Sequence, residues 1–131
     1  MTHERAQLSL ATLERAIQRL GEALAQPLEA PLALDGTIQR FEFVFELVWK
    51  TLKLFLAEEG IEVNTPRAAI RAAFAARLLA NEQTWLNLLE ARNLSSHTYN
   101  DEVAQRVYAT ISESFAEIES VPSRITTRMA S

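Results

Sequence analysis

Between Ala91 and Asn100 the chain places Arg92, Asn93, Ser95, Ser96, His97, Thr98 and Tyr99 almost without interruption, and one of its two histidines and one of its two tyrosines fall here. An imidazole gives and takes protons near neutral pH, so His97 can serve as general base or general acid. The Arg92 guanidinium can hold a phosphate through two parallel hydrogen bonds and stabilise charge that develops on it. With Asn93 adjacent and the Ser95 and Ser96 hydroxyls as candidate phosphate-binding support, this set could cleave a phosphodiester without a metal. RNA suits such a site, because its 2′-hydroxyl is an internal nucleophile held beside the phosphate. One imidazole supplies either the base or the acid; a two-fold dimer supplies both.

The spacing poses a geometric problem. Five positions on an unbroken helix amount to about 140° of rotation and about 7.5 Å of rise, so Arg92 and His97 would diverge. Asn93, Ser95, Ser96, Thr98 and Asn100 all compete for backbone hydrogen bonds and weaken a helix here. Either the helix ends inside the motif and turns His97 back toward Arg92, or the two groups meet across a two-fold interface. A structural reading of the same residues has Arg92 and His97 capping a helix end or bridging to Glu90 or Asp101. No metal site is expected, since His97 has no evident partner ligand and His3 lies where the chain should fray.

Helical periodicity dominates the rest. Leu10, Leu13, Ile17, Leu20 and Leu24 line one face of a helix from about Glu4 to about Leu24. Pro27 and Pro31 mark the connection from Gln26 to Leu34. A second helix is expected from about Asp35, its plausible N-cap, to Glu59, with Gly60 beyond its end. Ile38, Phe41, Phe45, Val48, Leu52 and Phe55 form its core seam, while Val44, Leu47, Leu54 and Leu56 widen the apolar face. That breadth suits a central helix with a face left over for a dimer contact. Glu42, Glu46, Lys50 and Lys53 form its polar stripe, read as solvated, with Glu46 and Lys50 spaced for an ion pair. Thr65-Pro66 opens a third helix to about Leu79, with Ile70, Phe74 and Leu78 inward. Its outer face carries Arg67 and Arg71, with Arg77 further round. No acidic residue lies between Thr65 and Asn81, so this surface could meet a phosphate or simply be solvated. A fourth helix begins near Glu82, with Trp85, Leu88 and Leu89 inward. Arg92 follows on the same stripe, where a cation needs a partner or a pocket. A fifth starts near Asp101, capped by Asn100, with Val103, Val107, Ile111, Phe115 and Ile118 inward. It is expected to end or kink at Pro122, leaving 1–122 as one domain and 123–131 as a tail.

The bulk composition fits an all-α, up-and-down bundle of about five helices. The chain has 131 residues, 48% of them hydrophobic, with only three Gly and four Pro to break elements. It has no Cys, which excludes disulfides and thiolate metal sites. No apolar run approaches the roughly 18 residues of a membrane span, and Met1-Thr2-His3-Glu4-Arg5 lacks a signal-peptide pattern. A cytoplasmic protein is the expectation. The net charge of −4, from 13 basic and 17 acidic residues, means that any contact with nucleic acid must be local.

Arg92-Asn93-Leu94-Ser95-Ser96-His97-Thr98-Tyr99 resembles the R-x4-H-x-Y motif of HEPN proteins, in particular the HepT-like toxins, which overlap with the nucleotidyltransferase substrate-binding proteins. Ile38-Gln39-Arg40-Phe41-Glu42-Phe43-Val44-Phe45-Glu46-Leu47-Val48-Trp49-Lys50 resembles the same family. The resemblance implies a dimerising helical bundle with the motif in a cleft near the dimer interface. It further implies a minimal nucleotidyltransferase as partner, the pair forming a heterotetramer. In the toxin reading the dimer is a metal-independent RNase that uses no cofactor. Arg92 and His97 are then its catalytic pair, with Asn93 the polar residue after the Arg. Tyr99 accepts AMP from ATP through the partner, which silences the RNase. The alternative within the family is a non-catalytic subunit that binds a nucleotide or substrate for the nucleotidyltransferase. A nucleotidyltransferase site of its own is not expected, since no Gly-Ser loop followed by a paired Asp-x-Asp occurs.

Overall fold

The computed structural model describes residues 3–30 and 32–131. Met1, Thr2 and the expected breaker Pro31 lie outside the described residues. Five helices, with no strand among the described residues, follow in order: α1 (Glu4–Leu24), α2 (Ala33–Glu58), α3 (Pro66–Ala75), α4 (Glu82–Leu94) and α5 (Asp101–Ala130). A single 3-10 turn, Ser95–His97, joins α4 to the last link. The architecture is the expected all-α bundle.

α2 is its axis and packs against each of the other four helices. Its seam residues Ile38, Phe41, Phe45, Val48, Leu52 and Phe55 are all buried, and so are Val44 and Leu56. The surplus apolar face is therefore narrower than the sequence suggests: Leu47 and Leu54 are half-buried, and Phe43 is exposed. α1 lies antiparallel to α2. His3 reaches Glu58 at one end (Nδ1 to Oε1, 3.2 Å), and Ser9 meets the buried Thr51 further along. His3 also stacks on Phe55, with ring centroids 5.3 Å apart, so it is docked where fraying was expected. An apolar ring beneath the imidazole and a carboxylate beside it hold that end in place.

The helix ends follow local chemistry. Thr65 caps α3 by accepting from the Ala68 amide at 3.1 Å, with Pro66 at the first helical position. Asn81 caps α4 through the Thr84 amide at 3.0 Å. Asn100 caps α5 through the amides of Glu102 and Val103 at 2.9 and 3.3 Å. α2 closes with Gly60 at φ 84°, where the Gly60 amide reaches the Ala57 carbonyl and the Ile61 amide reaches that of Leu56. This is the left-handed stop that glycine makes easy.

Four expectations need correction. α2 starts at Ala33, ahead of Asp35: Leu32, at φ 66°, is the capping position, and its carbonyl accepts from Gly36. Asp35 instead sits in the first turn, where its charge meets the positive end of the helix. α3 stops at Ala75, short of Leu79. Arg77 takes the left-handed conformation (φ 65°), the Leu78 amide returns to the Ala73 carbonyl, and Leu78 and Leu79 turn into the core. Phe74, just before that reversal, is 41% exposed and does not face inward. α5 runs through Pro122 to Ala130, so residues 123–130 belong to the bundle rather than to a tail. Proline removes one amide from the ladder. Val121 and Ile125, both fully buried, keep the helix seated across that gap.

Candidate functional site

The motif occupies the end of α4, the 3-10 turn and the link to α5. α4 is held by Trp85, which is buried and whose indole N–H donates to Glu117 at 3.2 Å. Arg92, seven positions later, lies on the same side and faces α2. Its guanidinium pairs with the Glu46 carboxylate and rests over the Phe45 ring, 5.8 Å from the centroid. The partner that a cation on this stripe requires is therefore Glu46, and neither Glu90 nor Asp101 serves. Glu46 also accepts from the Trp49 indole N–H at 3.2 Å and has the Lys50 ammonium at 3.9 Å, the helical pair that the spacing predicts.

One turn earlier on α2, Glu42 anchors the next part of the motif. The Ser95 hydroxyl lies 2.7 Å from Glu42 Oε2 and 2.7 Å from the Arg92 carbonyl oxygen. Ser95 is buried, so its hydroxyl ties the turn to α2 and is not free to support a phosphate. Ser96 is exposed, and its hydroxyl lies 3.5 Å from the Asn93 carbonyl. Thr98 donates to the Ser95 carbonyl at 3.2 Å. These hydroxyl-to-backbone bonds, all of short range, are the competition that ends α4 at Leu94.

Past Ser95 the chain faces outward. His97 is exposed, with Tyr99 edge-on to it at a centroid distance of 6.1 Å and an interplanar angle of 77°. Tyr99 is 86% exposed, and Asn93 is exposed as well. Within one chain, then, Arg92 is engaged by α2 while His97 stands beside Tyr99, and neither is the other's partner. The helix does end inside the motif, at Leu94, and the 3-10 turn Ser95–His97 carries the chain on to His97. Arg67 and Arg71 are exposed on α3.

Sequence reasoning missed Glu42 and Glu46 as members of the site. It read them as a solvated stripe, although both are half-buried and both bind the motif. Their spacing of four was visible, but the contacts join residues 46 and 53 positions apart. The signal that could have found them was the need for a carboxylate opposite Arg92.

With this geometry in place, comparison with known proteins identifies the class. Residues 8–126 match the family described as nucleotidyltransferase substrate binding protein like, and the chain belongs to that family. A Haemophilus influenzae protein named probable ribonuclease HepT is 36% identical over 89 residues. That match takes in 64% of this chain and 61% of the relative, so the chain spans less than two thirds of that protein. A crystal structure from Thermus thermophilus superposes with a TM-score of 0.81 at 33% identity, covering 86% of this chain and 98% of the other. A solved structure from Haemophilus influenzae, reported as revealing the fold of a substrate binding domain of a nucleotidyltransferase, gives a TM-score of 0.68 at 25% identity. The superposition covers 95% of this chain and 99% of the other.

Proposed function

We propose that the chain is the HEPN-type subunit of a two-component system, a metal-independent endoribonuclease switched off when a partner nucleotidyltransferase transfers AMP to Tyr99. The observation that carries this reading is the position of Tyr99: its ring stands 86% exposed beside His97, open to a large enzyme, at the bend that holds the rest of the motif. The relative named a probable ribonuclease supports it.

Two copies supply the chemistry in this reading. One His97 takes the proton from the RNA 2′-hydroxyl, and the 2′-oxygen attacks the adjacent phosphorus. The 5′-oxygen leaves with a proton from the second copy's His97, giving a cyclic phosphate and a free 5′-hydroxyl. Arg92, oriented by Glu46, binds the non-bridging oxygens. In the silencing step the Tyr99 oxygen attacks the α-phosphorus of ATP and pyrophosphate departs. The attached nucleotide brings negative charge and bulk within two residues of His97, which repels RNA phosphate.

The test is RNA incubated with the purified protein and chelator. Fragments ending in cyclic phosphate are expected, and His97→Ala should remove them; cleavage that persists in the variant rules the mechanism out. With the partner and ATP, intact mass should rise by whole AMP units, and Tyr99→Phe should stay at its starting mass.

A second reading, a non-catalytic subunit that binds a nucleotide or substrate for the nucleotidyltransferase, is favoured by one observation. Arg92 is already neutralised by Glu46 in the single chain. This reading expects a stable complex or nucleotide binding with no RNA cleavage.

A further inference from the structure

The outer seam between α1 and α2 carries a groove that the motif does not use. Two adjoining hollows of about 520 and 270 Å³ open along it, and Arg15, Arg19 and Arg40 line both. Arg15 and Arg19 lie one turn apart on α1, a spacing at which like charges repel; Arg40 comes from α2. The ion pairs among the described residues are His3–Glu58, Lys50–Glu46 and Arg92–Glu46, so none of these three guanidiniums has a carboxylate partner. Glu22 lines the wider hollow and pairs with none of them. The narrower hollow adds Leu47 and the ring of Phe43, which is 52% exposed. An acidic chain thus gathers three unneutralised guanidiniums and an open aromatic face in one groove.

We infer that this groove binds single-stranded nucleic acid. Guanidiniums match phosphate oxygens in a planar fork, and an exposed aromatic ring offers a stacking surface for any base. Arg15 and Arg19 are about 6 Å apart along the helix axis, close to the separation of neighbouring phosphates in an extended strand. A free nucleoside triphosphate offers the same chemistry over a shorter length, so strand length distinguishes the two. The inference stands on the groove and not on the ribonuclease reading: binding without cleavage leaves it intact.

The experiment is fluorescence anisotropy of an end-labelled uridine oligonucleotide. It is run on the full chain and on His97→Ala, so that binding is read apart from cleavage. If the three guanidiniums each neutralise one phosphate, log affinity should fall with log salt with a slope of about −2. Arg15→Gln with Arg19→Gln, both exposed helix positions that glutamine tolerates, should reduce that slope by about 1.4. Phe43→Ala should weaken binding by about five-fold or more and leave the slope unchanged. Circular dichroism confirms that each variant is folded. No binding at low salt, or binding indifferent to the Arg15/Arg19 pair, overturns the inference. So does displacement by ATP as effective as by unlabelled oligonucleotide, which makes the groove a nucleotide site. Equal displacement by polyglutamate also overturns it and points to an acidic protein partner.

Discussion

Glu46 receives three groups at once. The Arg92 guanidinium is a charge-assisted contact across two helices, the Trp49 indole comes from one turn on, and the Lys50 ammonium stands at 3.9 Å. They are not equal. Lys50 is 61% exposed, and a pair of that kind is worth little, because water screens it and the long side chain must be ordered. Arg92 is only a third exposed and is also packed on Phe45, so less of its contact is lost to solvent. A double-mutant cycle of Glu46→Gln with Arg92→Gln should give a coupling of about 1 kcal/mol by urea unfolding, and Glu46→Gln with Lys50→Gln a coupling near zero. Equal couplings would mean that the cross-helix pair is as solvated as the surface one. The need for such a partner was legible in the sequence, from the place of Arg92 on an apolar stripe. Its identity was not, because the contact joins residues 46 positions apart and local spacing carries no record of it.

The elements show where pattern and structure part. α1 matches its expected bounds, and the starts of α3, α4 and α5 match theirs, because Thr65-Pro66, Asn81 and Asn100 are caps whose chemistry is written in residue type. The end of α3 gave no such sign. The stop there has the same backbone as the one at Gly60, but Arg77 occupies the left-handed position, and an arginine does not announce a turn. Pro122 misleads in the opposite direction. It announces a stop, yet the burial of Val121 and Ile125 against the bundle outweighs one missing amide. A left-handed conformation costs a side chain with a Cβ more than it costs glycine. Arg77→Gly should therefore raise stability by about 0.5–1 kcal/mol, and Gly60→Ala should lower it by about 1 kcal/mol, both read from urea midpoints at unchanged slope. A loss of stability in Arg77→Gly would show that the guanidinium contributes more than its backbone costs.

At the scale of the whole molecule, charge and exposure are distributed unevenly. Arg92 is paired on α2 while His97 is exposed, and the proposed chemistry needs a second copy because one imidazole serves either as base or as acid. The acidic total hides a basic groove at Arg40, which helical geometry puts on the opposite side of α2 from Glu42. Composition could bound the overall field but could not place it, because α1 and α2 contribute its arginines from positions 21 or more residues apart. No helix among the described residues is long and apolar enough to cross a membrane.

The two tryptophans stand in very different places, and this has a practical consequence. Trp85 is sealed in the core, while Trp49 is half-buried, with its indole N–H on the carboxylate that holds Arg92. Indole emission responds to the charge and water around the ring, so Trp49 is a built-in optical probe of the guanidinium's engagement. In a Trp85→Phe background, any event that draws Arg92 away from Glu46, whether a bound anion or a second subunit, should shift the emission of unlabelled protein. An unmoved spectrum at saturating anion would mean that the pair stays closed.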